Sequence, residues 1–277
     1  PQDGRFSAHV DNHKIDFRVS TFPTSSGEKV VMRLLDSNKS VTSLNELELS
    51  KRNLDLIRST INEPFGLILI SGPTGSGKST TLYSMLKEVD RLTKNVLSLE
   101  DPVEYEIDGV SQSSINADIG YTFASGLRTT LRQDPDIIMV GEIRDRETAE
   151  LAIQAALTGH LVLSTIHTNS ATGVIPRLID MGIDPYLIAP TLKLAIGQRL
   201  VKRLCPGTGK QVPVEGAIKK IIDREFSDLL PEYRKDIVYP DHVLSAEPSP
   251  KCPKGTKGRI AVFEVLRMNS ELEKILL

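Results

Sequence analysis

The sequence has no tryptophan, and its aromatic residues make up only 5% of 277 residues. Surfaces that bind single-stranded nucleic acid are built from stacked aromatic side chains, so this scarcity argues against such a surface. The formal net charge of −2 also lacks the basic excess that binding to a phosphate backbone usually requires. We therefore predict that the chain has no nucleic-acid partner.

Cysteine and long apolar runs are scarce as well. Cys205 and Cys252 are too few for a disulfide scaffold, which favours two free thiols in a reducing compartment. No apolar run approaches the roughly 18 residues of a transmembrane helix, and no signal-peptide pattern is found. These observations together predict a cytoplasmic protein. Because the sequence begins at Pro1 rather than Met, we also expect it to be part of a longer chain.

The most informative motif is GPTGSGKS at residues 72–79, a complete G-x-x-x-x-G-K-S phosphate-binding loop. Its glycines allow backbone N–H groups to surround a polyphosphate, Lys78 neutralises the β and γ oxygens, and the Ser79 hydroxyl can bind Mg²⁺. The motif therefore predicts a nucleotide site. Its residues are Gly72, Pro73, Thr74, Gly75, Ser76, Gly77, Lys78, Ser79 and Thr80.

The residues on either side supply the structure that this loop needs. Leu67–Ile70 is an unbroken apolar run, as expected of a parallel strand that is buried on both faces. Downstream, apolar residues with helical spacing define one face of a helix that starts near Lys78: Leu82, Met85, Leu86 and Val89. Strand, loop and helix in this order direct the helix N-terminus at the phosphates.

The rest of the chain divides into a β-rich start and an α/β body. Residues 5–36 read as strands with turns at 11–14 and 25–27, and a polar stretch follows up to Ser50, which is predicted to cap a helix that ends before Pro64. Three further strands are predicted at Val96–Leu99, Ile137–Val140 and Leu161–Ile166. A helix between the last two is expected to start at Asp145 and end at Gly159, and a strand at Arg259–Leu266 precedes a C-terminal helix. This pattern predicts an α/β fold with a parallel sheet.

Three predicted strands end in polar residues that suit phosphoryl transfer, and strand carboxyl ends are where such sheets bind ligands. The first strand is followed by Glu100, Asp101 and Glu104, the second by Glu142 and the third by His167. His160 lies just before the third strand. An isolated acid of this kind is usually solvated, but three polar strand ends beside a phosphate loop favour catalysis. Glu142 follows Gly141 where the usual motif has Asp. For both histidines the alternative is a structural role, and we favour γ-phosphate sensing by His167.

The arginines are harder to assign. Arg128 and Arg132 are four residues apart and are predicted to share a helix face, whereas Arg18 and Arg33 lie on predicted strands. Surface salt bridging is the usual role of any one of them. The sharper hypothesis is an arginine finger, supplied within the chain or by a neighbouring subunit.

Together these motifs resemble the hexameric secretion ATPases that drive type IV pilus assembly and type II secretion. The resemblance covers nearly the whole chain except roughly residues 206–256. The matching stretches are residues 1–5, 16–24 (DFRVSTFPT), 27–36 (GEKVVMRLLD), 72–79, 98–105 (SLEDPVEY), 126–172, 198–205 (QRLVKRLC) and 257–266 (KGRIAVFEVL).

The resemblance implies a domain plan. It comprises part of an N-terminal α/β nucleotide-sensing domain at 1–36, a linker at 37–50 and a RecA-like ATPase core at 51–204. A variable region that corresponds to a degenerate metal-binding module follows at 205–258, and a C-terminal strand and helix occupy 259–277.

The resemblance also implies roles for the site residues, with ATP and Mg²⁺ as cofactors. Glu142 would be the catalytic carboxylate, Glu100, Asp101 and Glu104 an aspartate box that positions Mg²⁺ and water, and His160 and His167 a histidine box. The arginines expected near the nucleotide or the subunit interface are Arg18, Arg33, Arg128, Arg132 and Arg144. The implied partners are other copies of the chain in a homo-hexamer and an inner-membrane platform protein, through which the ring would lie peripherally at the inner membrane.

The cysteine region departs from the family pattern. Such proteins carry two C-x-x-C pairs that bind zinc, and here only Cys205 and Cys252 remain, one from each pair. Two free thiols are therefore expected in place of a zinc site. Loss of this module is also a trait of pilus retraction ATPases, although residues 98–105 and 16–24 look more like the assembly branch.

We accordingly predict an ATP hydrolase that powers assembly of a type IV pilus or a type II secretion pseudopilus. The first alternative is a retraction ATPase of the same superfamily. The others are a RecA-like nucleic-acid motor and a nucleotide-binding regulator without turnover.

Overall fold

The computed structural model describes residues 2–10, 13–36, 42–234 and 238–277. The chain forms two compact units, one of residues 1–199 and 261–277 and the other of residues 200–260. Among the described residues, no helix combines the length and apolar character needed to cross a membrane. Residues 11–12 of the predicted turn and 37–41 of the predicted linker lie outside the described residues.

The first unit begins with an antiparallel sheet of β1 (Asp3–Val10), β2 (His13–Thr24) and β3 (Gly27–Asp36). The alternation of apolar and polar residues predicted these strands, and the turn before Gly27 is confirmed. The register places Arg18 directly opposite Arg33 on the neighbouring strand. Both arginines consequently lie on the same face of this small sheet.

The remaining described strands are β4 (Gly66–Ser71), β5 (Val96–Glu100), β6 (Val110–Ser114), β7 (Ile137–Ile143), β8 (Leu161–Ile166), β9 (Leu192–Leu204), β10 (Lys210–Pro213), β11 (His242–Ser245) and β12 (Thr256–Arg267). Seven of them form one sheet in the order β12-β9-β4-β8-β7-β5-β6. β4 pairs in parallel with β8 and β9, and β7 pairs in parallel with β8 and β5. The predicted parallel α/β fold is confirmed.

The described helices are α1 (Lys51–Ile61), α2 (Lys78–Glu88), α3 (Phe123–Thr130), α4 (Arg146–Leu157), α5 (Val174–Asp180), α6 (Pro185–Thr191), α7 (Gly216–Glu225), α8 (Pro231–Arg234) and α9 (Ser270–Leu276). The predicted caps are confirmed for two of them. The Ser50 hydroxyl accepts the Asn53 N–H at 3.3 Å, and the Asp145 carboxylate accepts the Thr148 N–H at 2.8 Å.

The core lies on both faces of the large sheet. Leu67 and Leu69 of β4 pack into the cluster that contains α4, whereas Ile68 and Ile70 pack into the cluster that contains α2. All four side chains are completely buried. This two-sided burial explains why β4 reads as a continuous apolar run, and it gives the phosphate loop a rigid support.

Several elements differ from the sequence prediction. The strands β6 and β9 were not predicted, and α3, the helix expected to carry both Arg128 and Arg132, ends at Thr130. β7 continues to Ile143 beyond the predicted end at Val140, with an irregularity in its pairing to β8 between these two residues. In the predicted polar linker, Leu44–Leu47 forms a 3₁₀ helix whose Leu44 is fully buried. The domain boundaries drawn from the sequence stay a prediction.

The second unit contains β10 and β11, which pair antiparallel, and a disulfide between Cys205 and Cys252. The expectation of two free thiols is therefore wrong. Each cysteine opens a tight turn, because Thr208 N–H donates to the Cys205 carbonyl and Gly255 N–H to the Cys252 carbonyl, at 3.0 and 2.9 Å. A hydrogen bond from Cys205 N–H to the Gly255 carbonyl joins the two turns. Composition alone could not show that these two turns adjoin. Within the described ranges, no group of three or more His, Cys, Asp or Glu could hold a metal ion.

Candidate active site

The phosphate loop joins β4 to α2, as predicted, and its glycines adopt backbone conformations that other residues rarely reach. Gly72, Gly75 and Gly77 have φ of +146°, +76° and +90°. A Cβ at Gly72 would lie 2.3 Å from the backbone oxygen of Gln198 on β9 and 2.7 Å from the Ser76 hydroxyl oxygen. The loop is therefore closely packed at its start. No Cβ contact restricts Gly75.

The polar groups of this loop fit a phosphate. Lys78 Nζ donates to the carbonyls of Gly72 and Pro73, at 2.8 and 3.1 Å, and the Ser76 hydroxyl is buried without a hydrogen-bond partner. Burial lowers the pKa of Lys78, an effect that the charge of Glu142 opposes. An anionic oxygen in the loop would provide an acceptor for both side chains. Ser79 and Thr80 are exposed at the start of α2.

Sequence reasoning missed Gln198 in this site. Its side chain is buried, and its Oε1 accepts the Thr81 hydroxyl at 2.9 Å, which links α2 to β9 just behind the loop. Gln198 belongs to the matching stretch 198–205, but nothing local in that stretch indicates that β9 runs beside β4.

Glu142 lies at the carboxyl edge of the sheet, on the irregular end of β7. One of its carboxylate oxygens bonds the Arg144 guanidinium, and the other lies 3.3 Å from His167 Nε2. The Glu142 side chain is 16% exposed. The hydrogen bond from Arg144 to Glu142 is the main cause of a raised Arg144 pKa. The structure thus brings Lys78, Glu142, Arg144 and His167 together beside the phosphate loop.

The acidic residues after β5 have three different environments. Glu100 is 4% exposed, and its carboxylate accepts hydrogen bonds from Tyr83, Ser98 and Gln112. Asp101 is exposed. Glu104 is half-buried and forms an ion pair of 2.9 Å with Arg18 from the N-terminal sheet.

His160 does not join this group within the chain. It precedes β8 at the opposite edge of the sheet, and its Nδ1 lies 2.8 Å from the Ala155 carbonyl. At the rise of an extended strand, the seven positions between His160 and His167 correspond to about 23 Å. The structure gives His160 the backbone-bonded arrangement that was the alternative to a nucleotide contact.

The remaining arginines are spread over the first unit. Arg33 is exposed on β3, and Arg128 on α3 forms an ion pair with Glu147. Arg132 is exposed and follows the end of α3, since that helix stops at Thr130 and is capped by Leu131. The prediction that Arg128 and Arg132 share a helix face is therefore wrong.

Comparisons with known proteins agree with this geometry. The model of the family "Type II/IV secretion system protein" matches residues 1–277. The type II secretion system ATPase E of Vibrio cholerae serotype O1 is 47% identical over 277 residues, which are 100% of this chain and 53% of that protein. The type II secretion system protein E of Pseudomonas aeruginosa is 54% identical over 206 residues, which are 74% of this chain and 41% of that protein.

A crystal structure of the pilus retraction motor PilT with bound ADP superimposes with a TM-score of 0.69 at 28% identity, and the match covers 99% of this chain and 66% of that chain. The chain spans about half the length of the curated relatives it matches. Because the family model matches along its whole length, the chain belongs to the type II/IV secretion system protein family.

Proposed function

We propose that the chain is the nucleotide-hydrolysing part of a Mg²⁺-dependent ATPase motor that powers assembly of a type II secretion pseudopilus. The observation that carries the proposal is the position of Glu142 near the end of β7 and of His167 directly after β8, at the same edge of the sheet as the phosphate loop that follows β4. The names of the relatives in Vibrio and Pseudomonas support secretion as the process.

The phosphate loop is proposed to hold ATP through its backbone N–H groups, with Lys78 and Ser76 turned to the phosphate oxygens. Lys78 would exchange two carbonyl partners for anionic oxygens, which bind an ammonium group more strongly. Mg²⁺ supplies further positive charge to the polyphosphate when it is bound. Ser79 is the residue proposed to hold it, with Glu100 placed by the family pattern at a water-mediated position.

Glu142 is proposed to orient and deprotonate the attacking water. Both of its carboxylate oxygens already have cationic or potentially cationic partners, Arg144 and His167. Release of one partner would free an oxygen for the water and raise the basicity of the carboxylate. Since the Arg144 and His167 side chains are 63% and 48% exposed, either can turn towards the γ-phosphate without unfolding the sheet.

The other charged residues are proposed to act at the nucleotide or between subunits. In a homo-hexamer, Arg18 and Arg33 of the small sheet and Arg128 and Arg132 near α3 would approach the γ-phosphate when domains close, which converts hydrolysis into motion. Asp101 and Glu104 would face Mg²⁺ and water, and His160 would act only through a neighbouring subunit. The platform protein at the inner membrane is the proposed receiver of that motion.

ATP hydrolysis measured against oligomeric state tests the proposal. Phosphate release should rise as rings form, disappear in Lys78→Ala and persist in Lys87→Ala, which changes an exposed lysine near the other end of α2. Normal turnover in Lys78→Ala would reject the proposal.

The same assay separates the alternatives. Stimulation by the cytoplasmic domain of the platform protein supports a secretion motor, whereas salt-dependent stimulation by single-stranded DNA would support a nucleic-acid motor. Restoration of secretion, rather than of pilus retraction, in matched deletion strains would separate assembly from retraction.

A further inference from the structure

Tyr83 lies at the centre of the phosphate-loop helix, and sequence reasoning gave it no role. It is on α2, one turn and a half after Lys78, and only 2% of it is exposed. Its ring contacts the ring of Tyr105 edge to face, with centroids 5.8 Å apart. Because α2 begins at the phosphate loop, any group that Tyr83 holds is fixed relative to the bound phosphates.

The Tyr83 hydroxyl connects both ends of the acidic segment 100–104. It donates to the Glu100 carboxylate and accepts the backbone N–H of Glu104 at 3.1 Å. Burial, followed by the bond to Glu100, raises the pKa of Tyr83, so the hydroxyl stays protonated and able to donate. A buried carboxylate needs such donors to offset the loss of its hydration.

Glu100 is held from two further directions. Ser98 and Gln112 donate to its Oε1, at 2.7 and 2.9 Å. The Gln112 amide also donates to the Tyr105 carbonyl at 3.0 Å and accepts the Ile107 N–H at 2.7 Å. With the bond from Tyr83, the Glu100 carboxylate accepts three hydrogen bonds inside the protein and is buried, so the accessible carboxylates of the segment are Asp101 and Glu104.

The far end of the segment connects to the N-terminal sheet. The Glu104 carboxylate bonds Arg18 Nη2 at 2.9 Å, and the Arg18 Nε is buried without a partner. Two hydrogen bonds therefore separate the phosphate-loop helix from an arginine of the small sheet: Tyr83 to the Glu104 backbone, and the Glu104 side chain to Arg18. Through these two bonds, Tyr83 can hold Arg18 near the phosphate loop.

We propose that Tyr83 is a positioning residue, whose hydroxyl anchors segment 100–104 on the phosphate-loop helix and thereby holds Glu104 against Arg18. Its effect on turnover rests on the proposed ATPase function, whereas the contact itself does not. Glu100 then serves as the buried anchor of the segment. The residues that this anchor presents are Glu104 and, through it, Arg18.

The test compares Tyr83→Phe with Tyr121→Phe in the assembled ring. The first variant keeps the buried ring and removes the hydroxyl, and the control removes a hydroxyl whose oxygen lies 2.8 Å from that of Ser113. In Tyr83→Phe we expect kcat to fall about tenfold, as loss of a hydrogen bond to a charged group predicts, with KM for ATP changed less than about twofold. The control should keep both values.

Hydrogen exchange of the Glu104 amide provides a readout that needs no turnover. Protection of this amide should fall in Tyr83→Phe and persist in Tyr121→Phe. If wild-type rings do not hydrolyse ATP, the proposed function is overturned, while loss of Glu104 protection in Tyr83→Phe still supports the anchor. Unchanged kcat and unchanged protection in Tyr83→Phe would overturn the positioning role alone.

A double-mutant cycle with Glu104→Gln adds a variant whose change is nearer the surface. If Tyr83 acts through Glu104, the combined variant should lose clearly less activity than the product of the two single losses. Independent, multiplicative losses would show that Tyr83 acts by another route and would overturn the proposal.

Discussion

Gly72→Ala should destabilise the protein far more than Gly75→Ala, although the two glycines belong to one loop. Both have positive φ, so alanine is strained at either position. The two positions differ in the room that is available for the new Cβ atom. At Gly72 the new Cβ would lie 2.3 Å from the Gln198 carbonyl oxygen, which is backbone of the buried strand β9, whereas at Gly75 nothing lies within 4 Å.

The magnitude follows from these contacts. At Gly75 only the backbone strain applies, about 1–2 kcal/mol in the free energy of unfolding. At Gly72 the oxygen must move by about 1 Å to reach an ordinary contact, and overpacking of this kind costs about 1–3 kcal/mol in addition. We therefore expect a loss of about 3 kcal/mol or more for Gly72→Ala, a large share of the stability of a typical domain.

Urea denaturation of both variants without nucleotide measures this difference directly. Equal loss of unfolding free energy in the two variants would refute the packing of Gly72 against β9. Binding of a non-hydrolysable ATP analogue gives a second readout. Gly72→Ala should lose affinity because the loop can no longer close against Gln198.

Three further results are expected. Burial lowers the pKa of Lys78 below its usual value of 10.5, so the unfolded chain binds this proton more tightly than the folded chain. The unfolding free energy should therefore increase as pH rises through the lowered pKa towards 10.5. Urea denaturation from neutral to alkaline pH should show this increase in the wild type and not in Lys78→Met. Cys205→Ser, or a reductant, should destabilise residues 200–260 by up to about 4 kcal/mol, the loop entropy for a separation of 47 residues, measured by local hydrogen exchange against residues 66–100 as control. Gln198→Leu should lower ATP affinity and also lower the unfolding free energy by about 1 kcal/mol, because the Thr81 hydroxyl keeps only its 3.4 Å contact with the Gly77 carbonyl; Gln198→Glu, which keeps the acceptor, should lose less stability.

The parts of the fold that local sequence specifies were predictable. The run Leu67–Ile70 is apolar because its strand is buried on both faces. Asp145 marks the start of a helix because its own carboxylate caps the helix N-terminus. The phosphate loop and the polar ends of β5, β7 and β8 follow from the same kind of local evidence. Their meeting at one edge follows from the parallel arrangement.

The parts that depend on distant contacts were not predictable. The edge strand β6 is polar and only partly buried, and β9 becomes a strand through its pairing with β4. Composition could not tell that Cys205 and Cys252 occupy adjoining turns. Sequence likewise treats Glu100 and Glu104 as equivalent acids, although one is buried under three donors and the other meets Arg18.

Glu142→Gln offers the most direct test of the central claim that this edge of the sheet hydrolyses ATP. Bound nucleotide and phosphate release should be measured on the same assembled rings. The amide cannot act as a base, so ATP should bind with near-wild-type affinity while turnover falls by about 100-fold or more. Wild-type turnover in Glu142→Gln, or loss of ATP binding, would contradict the account.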